Sequence, residues 1–326
     1  MTLFLIFIYC LVYMQEYESY LNDYDLNDGQ ENINEMDIEK LSKELDSISM
    51  IISAPRRSGK THLIRDILFK MGQYCKWDLI ILYSETALFN VDYDYISDKF
   101  KFDHYDSEHL EKIINQQSHN MIKYKKQKMK GKQPPKILII LDDCISGNKI
   151  LYDENIAKLY TLGRHLKISV IFLTQHLNAL SPKIKKNSDV LIFFRNPDLE
   201  QSKELQDRYM HLFNDDRKKI SNIIDRIYDE PYKCVVVCVY KIQKAEKISD
   251  YIYYYRAPEA KPEQFRLGQP QFWIESNEPR KDEEDYDTKR GLCVPAKELD
   301  KVFKKYGTHN AEISSGKISG HRKKKK

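Results

Sequence analysis

Ile48-Ser-Met-Ile-Ile-Ser-Ala-Pro-Arg-Arg-Ser-Gly-Lys-Thr-His62 is the stretch on which the fold turns. Ile48 to Ser53 is a short apolar run with β-branched residues, the length of a buried strand. Ala54-x4-Gly59-Lys60-Thr61 follows at once, and Leu63, Ile64, Ile67 and Leu68 then recur at helical spacing. Strand, phosphate loop and helix in that order turn a Gly-Lys-Thr triplet into a nucleotide site, because N–H groups at the helix start face the phosphates. The loop comprises Ala54, Pro55, Arg56, Arg57, Ser58, Gly59, Lys60, Thr61 and His62, with the N–H groups of Arg57 to Thr61 forming the cradle. Lys60 would reach the β- and γ-phosphates and the Thr61 hydroxyl would ligate Mg²⁺, so ATP and Mg²⁺ are the expected ligands. Ala54 stands where the pattern has its first glycine, and alanine still permits close packing there.

Working outward, 326 residues hold one large α/β domain with appendages, or two small domains. Hydrophobic residues at 41% and charged residues at 31% describe a soluble globular protein and exclude disorder throughout. Net charge is only +4, so charge has to be read locally. The six cysteines, at 10, 75, 144, 234, 238 and 293, make no Cys-x-x-Cys pair and no metal spacing with histidine. Reduced core thiols are expected, with Cys234 and Cys238 on the same side of a strand.

Residues 1–14 are almost wholly apolar but too short to span a bilayer, and they lack the basic start and cleavage site of a signal peptide. They read first as an upstream extension of the frame, with Met14, Met36 or Met50 as internal starts, and second as a membrane anchor. Residues 15–49 carry eleven acids against two lysines, which predicts a disordered acidic arm and then a short helix over Asp37–Leu45. Strands are expected over 77–84, 137–143, 168–174, 188–194, 232–240 and 251–255, the last two as a final pair with antiparallel as the orientation considered. Helices are expected near 107–128, 153–165, 198–212 and 216–227. An α/β fold follows, with a mainly parallel central sheet flanked by helices over 46–256, and flexible termini over 1–45 and 257–326. The charged C-terminal stretch ends in His321-Arg-Lys-Lys-Lys-Lys326, read as a solvating or nuclear-targeting tail, with DNA binding as the alternative.

Ile137-Leu-Ile-Ile-Leu-Asp-Asp143 is the second chemical landmark, five apolar residues delivering two carboxylates to the edge where such sheets bind ligands. Asp142 would hold Mg²⁺ and Asp143 would polarise the attacking water, although the usual second acid is the longer glutamate. Gln175, just past the 168–174 strand, is placed to touch the γ-phosphate or its water. Between Lys123 and Lys136 lie seven lysines and no acid. A solvated loop is the plain explanation, and contact of Lys123, Lys125, Lys126, Lys128, Lys130 and Lys132 with a DNA backbone is the functional one.

Ala54–Thr61, Ile137–Asp143 and Gly163-Arg-His-Leu-Lys-Ile-Ser-Val-Ile-Phe-Leu-Thr-Gln175 together resemble the poxvirus-type genome-packaging ATPases of nucleocytoplasmic large DNA viruses, within the FtsK/HerA superfamily of P-loop NTPases. The third motif discriminates, since the first two fit many NTPases, and the resemblance spans about residues 46–256. It implies a RecA-like sheet in which 168–174 lies between the phosphate-loop strand and the acidic strand. It also implies a homo-oligomeric ring that hydrolyses ATP to drive double-stranded DNA into a capsid, with capsid or other packaging proteins as partners. The host cytoplasm, at the viral factory, is the implied location, with the virion as a second. By position, Lys60 and Thr61 hold phosphate and metal, Asp142 the metal, Asp143 the water, and Gln175 is the strand-end sensor. Arg164 is the candidate finger on a neighbour's ATP and Arg195 the alternative, each weighed against a surface salt bridge or a substrate contact. Two competitors remain at this level: a nucleotide kinase or other phosphotransferase on the same core, and a non-motor ATP-binding structural partner, tethered to a membrane only through residues 1–14.

Overall fold

The computed structural model describes residues 32–86, 91–126, 134–144, 152–177, 180–196, 199–210 and 217–273. Residues 1–31, Lys128, Lys130 and Lys132, and the tail from 274 onward, for which the sequence sets expectations, lie outside them. Among the described residues no helix is long and apolar enough to cross a membrane.

Eight strands form one sheet: β1 (Ser49–Ser53), β2 (Leu79–Ser84), β3 (Lys101–Phe102), β4 (Ile137–Asp142), β5 (Ile168–Thr174), β6 (Val190–Phe194), β7 (Cys234–Cys238) and β8 (Ile252–Tyr255). Their order is β3-β2-β4-β5-β1-β6-β7-β8. The first six strands run parallel, and β7 and β8 close the sheet as an antiparallel pair. Every residue of β1, β2, β4, β5 and β6 is buried, as continuous apolar runs covered on both faces require. β5 lies between β1 and β4, the place expected for 168–174.

Successive side chains of each strand feed opposite faces of the sheet. Met50, Ile52, Ile80 and Leu82 pack with α1 (Ile38–Glu44) and α2 (Lys60–Gly72). Ile51, Ile81, Ile139 and Phe172 pack with α3 (Ser107–Lys126), α4 (Glu154–Leu166) and the later α7 (Arg217–Ile227). Between α4 and α7 come two short helices, α5 (Pro182–Lys186) and α6 (Leu199–Leu205). Cys234 and Cys238 are buried free thiols that share one face of β7.

Several bounds differ from expectation for physical reasons. β7 stops at Cys238, whose partner Val190 is the first residue of β6, and the chain then winds into a 3₁₀ turn over Val239–Lys244. The helix near 198–212 is α6 followed by a wider π turn over Gln206–Met210. β3 and α5 were not anticipated; the former is two residues long and the latter five, three of them lysine. The packed body also exceeds 46–256. Ile38 and Leu41 are buried at one end, and Ala257, Leu267 and Phe272 at the other.

Candidate nucleotide site

The C-terminal ends of β1, β4 and β5 are in register, so Ser53 lies beside Thr174, and Asp142 beside Leu173. The loop after β1 therefore opens at the edge where Asp142 and Gln175 emerge. Its first anchor is Ala54 N–H donating to the Thr174 carbonyl at 3.0 Å. Arg57 (φ 61°) and Gly59 (φ 91°) then turn the chain through left-handed backbone so that α2 starts at Lys60. The positive φ at 59 favours glycine, and an added Cβ would also sit 3.1 Å from the exposed Tyr232 ring.

Lys60, itself buried, points back under the loop. Its Nζ lies 2.7 Å from Asp143 Oδ2 and 3.1 Å from Asp142 Oδ1. Asp142 is 5% exposed, and its other oxygen accepts a hydrogen bond from the Tyr93 hydroxyl at 2.7 Å. Burial and the neighbouring carboxylate push the Tyr93 phenol well above its ordinary pKa, so it stays a donor. Asp143 differs from its neighbour. Its backbone is left-handed (φ 45°), its side chain is 43% exposed, and its Oδ2 accepts from Gln175 Nε2 at 3.1 Å. One carboxylate is thus buried and fixed, and the next is turned outward to solvent and the cavity.

The cavity over this loop has a volume of about 540 Å³ and includes Lys60, Thr61 and Asp143 in its wall. Ser58 Oγ is buried without a hydrogen-bond partner among the described residues, while Lys60 Nζ and Asp142 Oδ1 are held only by their ion pairs. Buried polar atoms without partners are costly, and a bound triphosphate with its metal would supply them. No group of three or more His, Cys, Asp or Glu residues suited to a metal occurs among the described residues. Mg²⁺ takes one or two carboxylates and completes its shell with phosphate and water. Thr61 and Asp142 would hold it.

Lys60, Thr61, Asp142, Asp143 and Gln175 thus come together, whereas Arg164 stands apart. Arg164 lies in the last turn of α4, just before β5 begins, and is exposed at the sheet edge opposite the phosphate loop. Arg195 follows β6 and is exposed at the nucleotide edge. Lys123, Lys125 and Lys126 close α3 at the edge that Arg164 occupies. Gln117 of α3 donates to the Leu166 carbonyl at 2.8 Å, and α3 continues past that contact to Lys126, about 13.5 Å further at 1.5 Å per residue. Tyr93 was missed. It comes from a short 3₁₀ turn, Val91–Tyr93, with no periodicity to announce it.

A family model described as "Poxvirus A32 protein" matches residues 33–250. The uncharacterized protein L437 of Acanthamoeba polyphaga mimivirus is 25% identical over 236 residues, 71% of this chain and 79% of that protein. The uncharacterized protein 088R of Invertebrate iridescent virus 3 is 25% identical over 216 residues, 65% of this chain and 77% of that protein. Among solved structures, the genome packaging NTPase B204 from Sulfolobus turreted icosahedral virus 2, in complex with ATP-gammaS, aligns at 18% identity and a TM-score of 0.41, over 65% of this chain and 97% of that one. Likeness that distant adds nothing to the fold read from the strand order.

Proposed function

The chain belongs to the poxvirus A32 protein family, and we propose that it is an ATP-hydrolysing motor that moves double-stranded viral DNA into a capsid. The observation that carries the hydrolytic part is the convergence of Lys60, Asp142, Asp143 and Gln175 on one point of the sheet edge. Lys60 exchanges its carboxylate partners for the β- and γ-phosphates. Asp142, held from behind by Tyr93, keeps Oδ1 directed at the site. Bound with Thr61 and Asp142, Mg²⁺ supplies charge neutralisation on the phosphate oxygens. Asp143, turned outward and tied to Gln175, accepts the proton of the attacking water, and Gln175 orients that water.

The motor part is supported by the family and by the Gly163–Gln175 motif. Chains assemble as a ring, and an arginine from one chain neutralises charge on its neighbour's transferring phosphoryl group. Arg164 is the first candidate and Arg195 the alternative. In assemblies mixing Lys60→Ala with Arg164→Ala chains, recovered hydrolysis assigns the role to Arg164, and absent recovery in verified mixed rings removes it. Lys123, Lys125 and Lys126 offer DNA a basic edge away from the nucleotide. The host cytoplasm, where virions assemble, is the working location.

A phosphotransferase on the same core is the competitor. The fate of the γ-phosphate separates the two: free phosphate released with water as acceptor, and lost in Lys60→Ala and Asp143→Asn, supports the hydrolase. A phosphorylated small hydroxyl acceptor would refute it.

A further inference from the structure

The cavity over the phosphate loop continues past the phosphates. Beyond Lys60 and Thr61 its wall is made by His62, Arg65, Asp92 and Lys261. Thr61 and Arg65 stand about one turn apart on the same face of α2 and both line the cavity, so it extends about 6 Å along the helix from the Thr61 hydroxyl. Its volume of about 540 Å³ lies within the range of sites that bury a whole small molecule.

This far end is built rather than incidental. Arg65 is 7% exposed and wedged against Tyr95 and Phe265, with its guanidinium carbon 5.4 and 5.7 Å from their ring centres. Its Nη1 donates to the Asp94 carboxylate at 2.7 Å and to the Asp92 carbonyl at 3.2 Å, while Nε is buried without a hydrogen-bond partner among the described residues. Lys261 Nζ donates to Asp92 Oδ1 at 3.2 Å. His62 Nε2 donates to the Pro258 carbonyl at 2.6 Å. Lys261 and Pro258 belong to an irregular strap, residues 257–273, which lies beyond the family-matched stretch 33–250. The strap is fixed beside α2 by Phe265, stacked on Tyr95 at 4.8 Å and edge-on to Phe69 of α2 at 5.2 Å, and by Leu267 N–H donating to the Tyr95 carbonyl at 3.0 Å.

We propose that Asp92 and Lys261 bind the nucleoside end of the triphosphate, so that the strap is part of the nucleotide site. The inference rests on the ATP-binding function proposed above. The charge pattern sets the polarity. A carboxylate at the far end repels phosphate but accepts hydrogen bonds from ribose hydroxyls or a base amino group, and Lys261 donates to the nucleoside's acceptors. Phosphates therefore stay at Lys60 and Thr61, and the nucleoside faces the strap.

Calorimetry on the full chain tests this with two probes, a non-hydrolysable ATP analogue with Mg²⁺ and inorganic tripolyphosphate with Mg²⁺. Lys261→Met is the primary variant, because its side chain is 61% exposed. Asp92→Ala is the second. Each is expected to weaken the analogue about tenfold, the loss of one charge-assisted hydrogen bond, with tripolyphosphate affinity unchanged. An equal loss for both probes would place the pair on the phosphates and overturn the proposal, as would no loss for either. A wild-type chain that binds neither probe defeats the ATP-binding function itself, a result distinct from a failure of the strap.

Discussion

Replacing Tyr93 with phenylalanine removes one oxygen and leaves the shape of a side chain that is 0% exposed. The oxygen removed is the donor to Asp142 Oδ2, at 2.7 Å, on a carboxylate that is itself 5% exposed. A hydrogen bond to a charged group contributes about 1.5–3 kcal/mol, and a buried acceptor left unpartnered forfeits that amount because the phenyl ring keeps water out. Chemical denaturation of Tyr93→Phe is therefore expected to show a loss of about 1.5–3 kcal/mol. Without its tether, Asp142 also gains rotational freedom at the position proposed to hold Mg²⁺. Partners that orient metal ligands are worth about 10–100-fold in metal affinity, so the Mg²⁺ concentration for half-maximal hydrolysis should rise by at least about tenfold. A merely structural tyrosine would lower stability without moving the Mg²⁺ dependence. A double-mutant cycle with Asp142→Asn isolates the contact: in that background Tyr93→Phe should cost less than about 1 kcal/mol. The reasoning is refuted if Tyr93→Phe costs under about 0.5 kcal/mol and leaves half-saturation by Mg²⁺ where it was.

Gln175→Ala frees Asp143 from its 3.1 Å restraint and should lower kcat about a hundredfold at unchanged KM for ATP, measured by steady-state phosphate release. Changing Lys123, Lys125 and Lys126 to glutamine should flatten the salt dependence of DNA binding, by up to about 0.9 in log–log slope for each lysine that touches a phosphate; an unchanged slope returns them to a solvated surface. His109 is held below its ordinary pKa of 6.5 by burial, with its Nδ1 2.8 Å from the Tyr83 hydroxyl. The unfolded chain therefore takes up this proton more readily than the folded one, so the stability tied to a neutral His109 is complete above 6.5 and lost as the pH falls. Urea unfolding at about pH 7.5 and about pH 5.5 should show that acid-side loss shrink in His109→Phe.

The pairing of the phosphate loop with the acidic strand was legible because each motif sits at a strand end, and parallel strands deliver their C-terminal ends to one edge. Both motifs also depend on apolar runs long enough to be seen. β3, at two residues, has no such run. Tyr93 was invisible for another reason: its partner Asp142 is 49 residues away, and the contact is one hydroxyl that no periodicity encodes. The strap begins the stretch expected to be a largely irregular extension, and its packing could not be read from the sequence. Phe265 and Leu267 are two apart on one core face, but the next buried residue, Phe272, comes five later and joins the other, so no period marks the segment. Arg164 shows that a motif does not carry its own position. Gly163-Arg-His was recognisable as a pattern, yet its place in the last turn of α4, ahead of β5, puts it at the far edge from Lys60.

Steady-state ATP hydrolysis by the full chain, with and without double-stranded DNA, tests the motor proposal most directly. Slow basal hydrolysis that double-stranded DNA stimulates strongly, and that Lys60→Ala and Asp142→Ala abolish, is the expected result. An assembled oligomer that DNA fails to stimulate, while a small hydroxyl acceptor becomes phosphorylated, would contradict it.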